Sequence, residues 1–177
     1  MKKSTDTPNP VTTDQAFEGK ASRAELNAKA IVNLVPIINT QFNIYSEPAL
    51  KDQLLATNDS PPPPLSSWTF QRANPGEEEE VWYIQSYPDS NRCLTWDAGI
   101  GVVRLKPYSG NDDQKWLVLN VESSGEDTGV YFICTIVKRN SYMRVRQPLY
   151  NNTVVVTDFN LTGDVERFSL RLVGITP

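Results

Sequence analysis

The apolar positions of this chain fall into short runs separated by turn residues, with one exception near the start. Ser22-Arg23-Ala24-Glu25 has the form of a capping box, in which the serine hydroxyl accepts an orphan backbone N–H and Glu25 reaches back to the cap. Ala24, Ala28 and Ile31 then make a short apolar stripe, and Glu25 with Lys29 forms an i,i+4 pair. The pattern predicts one helix of roughly two or three turns leading into the first strand. From residue 31 the runs have β character: 31–38, 81–87, 101–106, 114–121, 130–138, 153–157 and 167–173, several rich in Val, Ile, Tyr, Phe or Trp. No second helical period follows. Residues 1–20 are polar and rich in Pro, Thr and Asp, which predicts a disordered arm, so residues 1–30 read as a flexible arm plus the short helix.

Spacing says more than propensity. Leu34, Ile84 and Ile133 each sit in the first run of a segment, 50 and 49 residues apart. Ten, ten and ten residues later come Ile44, Leu94 and Met143, again in short runs. Each segment closes on an aromatic: Trp68, Trp116 and Phe168. Tyr108 and Phe159 also correspond, each after a Val-x-Leu or Val-x-Val run. Three units of about four strands, each too small to bury its own apolar face, should close around a shared core. The reading is an all-β fold, a β-trefoil over residues 31–177 with repeats of about 31–76, 77–127 and 128–175.

Composition narrows the chemistry. The 177 residues include no histidine, which removes imidazole catalysis, histidine metal ligands and imidazole pH switching. Two cysteines build neither a zinc site nor a disulfide scaffold. The net charge of −4 argues against a sequence-independent nucleic-acid binder. No apolar run reaches membrane-spanning length, and no apolar stretch follows the basic Met1-Lys2-Lys3 start, so no signal peptide is visible. A secreted protein or part of an extracellular complex is expected, with the cytoplasm as the alternative. No cofactor and no metal site are expected. Carboxylate pairs need no histidine, but a fold this small offers no deep cleft, and the chain reads as a non-enzyme.

The second repeat carries a family resemblance. Asn91-Arg92-Cys93-Leu94-Thr95-Trp96-Asp97, then Val103-Arg104-Leu105-Lys106, then Asp112-Asp113-Gln114-Lys115-Trp116 resembles a ricin B-type lectin repeat ending in its Gln-x-Trp signature. The other two repeats end in Ser66-Ser67-Trp68 and Glu166-Arg167-Phe168, keeping the aromatic and losing the glutamine. The resemblance implies that Trp116, Trp68 and Phe168 fill the core. It also implies a sugar held by a carboxylate on the second strand, an aromatic on the third and an amide before the glutamine. Thr95, Lys106 and Asp113 stand at those stations here, with Asp97 nearby, and these four are the candidate glycan-binding residues. Repeat three offers Arg144, Thr157 and Val165, and repeat one Tyr45. No repeat keeps the usual galactose set.

The remaining features favour structural readings. Cys93 stands where the resemblance implies one half of a within-repeat bridge, but Tyr108 stands at the partner station and Cys134 is out of register with it, so the two read as separate buried thiols. Trp82 aligns with Val32 and Tyr131, and Trp96 with Val145, which predicts core positions. Glu77–Glu80 reads as a solvated loop, although residues 77–129 hold eleven acids against four bases while 130–177 hold six bases against three acids. The four prolines at 61–64 read as a stiff spacer between the third and fourth strands of repeat one. Asn58, Asn151 and Asn160 match the N-glycosylation pattern. The expected function is a non-catalytic carbohydrate- or receptor-binding module. Its partner would be a glycan or a glycosylated cell-surface receptor. The resemblance extends to stand-alone bacterial toxin-associated binding subunits, which implies a toxin-complex protein partner contacted through the N-terminal arm. A trefoil protease inhibitor and a purely structural subunit are the alternatives.

Overall fold

A computed structural model of the chain describes residues 20–21, 23–27, 30–59, 63, 65–76, 80–121, 128–146, 152–158 and 167–175. Among these lie one α-helix, α1 (Arg23–Asn27), and twelve strands. The first repeat supplies β1 (Ala30–Pro36), β2 (Asn43–Glu47), β3 (Gln53–Thr57) and β4 (Ser67–Arg72). The second supplies β5 (Val81–Ser86), β6 (Arg92–Asp97), β7 (Val102–Pro107) and β8 (Lys115–Asn120). The third supplies β9 (Val130–Thr135), β10 (Ser141–Val145), β11 (Asn152–Asp158) and β12 (Arg167–Ile175). The chain is mostly β, as its apolar runs predict.

Six strands close into a ring. β1 pairs with β4, β4 with β5, β5 with β8, β8 with β9, β9 with β12, and β12 with β1, all antiparallel. The other six form hairpins β2–β3, β6–β7 and β10–β11. These hairpins pair with one another in a cycle: Gln53 faces Arg104, Val102 faces Val155, and Thr153 faces Leu55. Each contact joins the residue three before a core position of one hairpin to the residue one before it in the next. The registers therefore repeat three times, at the intervals read from the sequence.

The apolar anchors account for this registration. Ile44 lies opposite Ala56, Leu94 opposite Leu105, and Met143 opposite Val156, and all but Val156 are essentially inaccessible to solvent. Val32, Trp82 and Tyr131 each face the closing aromatic of their own repeat, Trp68, Trp116 and Phe168. Two of those aromatics carry an indole N–H that must find an acceptor when buried. Trp68 Nε1 donates to the Ile44 carbonyl at 3.4 Å and Trp116 Nε1 to the Leu94 carbonyl at 3.0 Å. Phe168 has no such donor, and its ring is held by packing alone. Trp82 is buried and Trp96 packs partly buried against the same core, so both are core residues as expected.

The start of the described chain is built into the fold. Ala21 and Leu26 belong to the central core, at 0% and 1% exposure. Lys20 bridges Arg171, the Ala21 N–H donates to the Leu170 carbonyl at 2.6 Å, and the Tyr131 hydroxyl donates to the Ala21 carbonyl at 3.2 Å. Gly129, at φ +63, lets this segment lie close: a Cβ there would come within 2.6 Å of the Lys20 Cβ. Helix α1 packs on β4 and β1. Residues 1–19, Ser22 and 28–29 lie outside the described residues, as do Pro61, Pro62, Pro64 and Glu77–Glu79, so the arm, the capping serine and most of both loop motifs do too. Glu80 pairs with Arg72 at 2.9 Å and is thus held, not simply solvated.

Cys93 and Cys134 are separate, free and buried. Burial pushes the Cys93 thiol up to about 12 and the Cys134 thiol to about 11.

Two outcomes follow. Leu26→Ala should lower the unfolding free energy by about 2–5 kcal/mol, measured by urea denaturation, because it opens a cavity inside the shared core. A loss under 1 kcal/mol would make the leading segment an appendage. The second concerns pH. Below about 9 the thiols are protonated folded and unfolded, and contribute no pH dependence. Above it the unfolded Cys93 ionises while the folded one stays protonated to about 12, so stability should fall as pH rises through that window. Cys93→Ala should flatten the decline of the urea midpoint with pH, and an unchanged slope would refute the assignment.

Candidate functional site

The β6–β7 hairpin carries three of the four candidate residues, Thr95, Asp97 and Lys106, and Asp113 lies in the turn before β8. In this hairpin Cys93 lies opposite Lys106, Thr95 opposite Arg104, and Asp97 opposite Val102. Strand alternation puts Leu94, Val103 and Leu105 toward the core and the residues between them on the other face. Asp97 is drawn between two cations there: its Oδ2 lies 3.4 Å from Arg104 Nε and 3.8 Å from Lys106 Nζ. The side chains of Asp97 and Lys106 are 30% and 42% exposed, open enough to meet a ligand. Arg104 also donates through Nη1 to the Lys51 carbonyl at 3.2 Å, which fixes the guanidinium against repeat one.

Arg92 reaches the same neighbouring turn and pairs with Asp52 at 2.6 Å. Lys51 and Asp52 both sit at positive φ there, just beyond the 3₁₀ turn Pro48–Leu50. Repeat one therefore braces the hairpin of repeat two through two arginines and the Leu105 N–H, which donates to the Asp52 carbonyl at 2.8 Å.

Thr95 does not face a ligand. It is 1% exposed, and its hydroxyl donates to the Cys93 carbonyl at 3.1 Å while accepting Gln114 Nε2 at 3.0 Å. The side chain is committed to Gln114. That glutamine is buried and satisfied at both ends: Nε2 also donates to the Pro107 carbonyl at 2.8 Å, and Oε1 accepts the Ser109 N–H at 2.7 Å and the Gly110 N–H at 3.3 Å. It pins the 107–114 loop onto the hairpin.

Asp113 precedes Gln114 in the 3₁₀ turn Asp112–Gln114. It is half-buried, and its Oδ1 is buried without a hydrogen-bond partner, which leaves an acceptor unused. On the same loop Tyr108 is exposed and meets Tyr83 edge to face at 5.0 Å between ring centroids. Desolvation of Tyr83 and its contact with the Tyr108 hydroxyl push its phenol up to about 12.

The structure thus joins Asp97 and Lys106 directly and buries Thr95 beneath the loop that carries Asp113. Arg104 escaped the sequence reading. Its signal was present in Val-Arg-Leu-Lys, where period-two alternation puts Arg104 and Lys106 on one face. At the equivalent stations Tyr45 is buried and bonds Glu47 at 3.5 Å, while Arg144 is half-buried. The side chains of Thr157 and Val165 lie outside the described residues. Among the described residues no group of three or more Cys, Asp or Glu side chains could hold a metal, and no helix is long and apolar enough to cross a membrane.

No family model matches this sequence, and no curated protein does. Solved structures do match in fold. The designed three-fold symmetric protein ThreeFoil aligns at a TM-score of 0.62 and 15% identity, over 80% of this chain and 97% of its own. A Polyporus squamosus lectin bound to a human-type influenza-binding epitope aligns at 0.63 and 11%, over 81% of this chain and 49% of its own. A mosquitocidal holotoxin aligns at 0.68 and 14%, over 84% of this chain and only 17% of the holotoxin chain. Two matched structures are a β-1,3-galactosidase and an endo-β-galactosidase from Clostridium perfringens, so likeness of fold excludes no enzymatic role. At these identities the likeness is one of fold: this chain shares the all-β architecture of β-trefoil lectins.

Proposed function

We propose that the chain is a ricin B-like β-trefoil of three repeats acting as a non-catalytic carbohydrate-binding module. Its contact face would be the outer side of β6–β7 with the 107–114 loop. The observation that carries this reading is the Asp97–Arg104–Lys106 cluster, a carboxylate and two cations held in fixed relation on a partly exposed hairpin face. Sugar hydroxyls donate and accept at once, so a carboxylate beside an ammonium reads a vicinal pair of them. Charge-assisted hydrogen bonds of this kind are stronger than neutral ones. Asp113 adds a second, half-buried carboxylate on the adjoining loop. Thr95 and Gln114 hold the loop and would not touch the sugar.

The lectin architecture of the matched structures supports a glycan, free or on a cell-surface receptor, as the partner. The holotoxin among them supports a place as the cell-binding or assembly component of a toxin complex, secreted or extracellular. In such a complex the N-terminal arm would contact the protein partner.

A glycan array probed with the full chain tests this reading. Asp97→Ala, Lys106→Ala and Asp113→Ala should each weaken the signal by roughly tenfold, the range of a central contact. Thr95→Val should instead lower stability by about 1–3 kcal/mol, since it strips Gln114 Nε2 of a buried acceptor. An array silent at high protein concentration would refute the lectin function. A signal that survives all three surface substitutions would move the site elsewhere.

A further inference from the structure

A groove of about 670 Å³ runs along the β4–β5 hairpin, between the end of α1 and the turn after β5. Asp97, Arg104 and Lys106 are not among the residues that line it, and it has the size of a small-molecule pocket. Its floor includes Trp82 and Ser86, each 1% exposed. On these two residues, Trp82 Nε1 and Ser86 Oγ are buried without a hydrogen-bond partner. Such atoms are rare in folded proteins, and each marks hydrogen-bonding capacity that the chain leaves unspent.

The walls add amides. Gln85 donates Nε2 to the Ser90 carbonyl at 3.0 Å, which fixes the side chain, and Gln71 stands exposed beside it. The rim is flat and apolar, with the Tyr87 ring 37% exposed next to Pro88.

The chemistry of the groove selects among ligands. Arg72 is the one charged side chain among the described residues that line it, and Glu80 holds its guanidinium at 2.9 Å. An anionic ligand would therefore find its cation already neutralised. A peptide added as a β-strand would need a free edge, but β4 pairs with β1 and β5, and β5 with β4 and β8. A neutral ligand rich in hydroxyls, with an apolar face for the tyrosine ring, meets every feature.

We propose that this groove is a second binding site, and that it takes a neutral glycan of about disaccharide size. The site goes beyond the hairpin face of repeat two and does not depend on it.

The test uses the full chain labelled with ¹⁵N, titrated separately with lactose, cellobiose, maltose and chitobiose to about 10 mM, enough to populate a site of millimolar affinity. Four indole N–H signals are expected, from Trp68, Trp82, Trp96 and Trp116. At least one sugar should shift the Trp82 indole signal and the Gln85 side-chain amide. Trp68 and Trp116, bonded to backbone carbonyls, should stay in place. Tyr87→Ala and Gln71→Ala alter exposed side chains, so folding is not at stake, and each should weaken the titration by roughly tenfold. The double variant Asp97→Ala/Lys106→Ala should leave it unchanged. Shifts confined to the Asp97–Lys106 face, no shift with any of the four sugars, or a Trp82 shift undiminished by both groove variants would each overturn the second site. A Trp82 shift with no change around Asp97 would support it even as the first site failed.

Discussion

Each hairpin of this chain has one apolar face and no means of covering it alone, and the closing aromatic of each repeat resolves that problem for two repeats at once. Trp68 lies between Val32 of its own repeat and Ser86 of the next. Trp116 lies between Trp82 and Thr135, and Phe168 between Tyr131 and Pro36 of the first repeat. The third link returns to the beginning, so the ring has no free edge there and the three units stand or fall together. The indole bonds to Ile44 and Leu94 then tie the ring to the hairpins that cap it. Everything outside the core, including the Asp97 face, rests on strands positioned by these contacts.

The three-fold spacing was legible because the largest apolar residues are the ones that fix registration. Leu34, Ile84 and Ile133, with their partners ten residues on, mark positions that must be buried whatever surrounds them. β3 left no comparable trace: at the place of Leu105 and Val156 it has Ala56, too small to mark a core position in a sequence. The short helix was legible from its cap, but not the burial of Ala21 and Leu26. The place of Ala21 depends on the glycine at 129 and on β12, more than a hundred residues away, and that of Leu26 on the packing of the helix against β4 and β1.

The site was legible in part for a related reason. The family stations fall on this hairpin and its loop, but station and side-chain role are different things. Thr95 occupies a station meant for a ligand contact and spends its hydroxyl on Gln114 instead. Arg104, off every station, is the residue that sets the position of Asp97. The β4–β5 groove was invisible for a stronger reason: it is shared between two repeats and the helix, so no local motif encodes it.

The Gln114-Lys115-Trp116 run thus serves the loop and the core, not a ligand. Gln114 satisfies five groups at once, and Trp116 fills the ring; neither reaches the outer face. The face above them is free to carry any chemistry the strand alternation allows. Exposed ion pairs contribute only about 0–1 kcal/mol to folding, so stability gives little account of why Asp97, Arg104 and Lys106 converge. Their consequence is a charged surface, screened by salt and suited to polar or ionic groups. The groove on β4–β5 is its opposite, neutralised by Arg72 and Glu80 and backed by uncommitted buried donors. The two faces differ in electrostatic character and share no lining residue, so one scaffold can present both without either compromising the other.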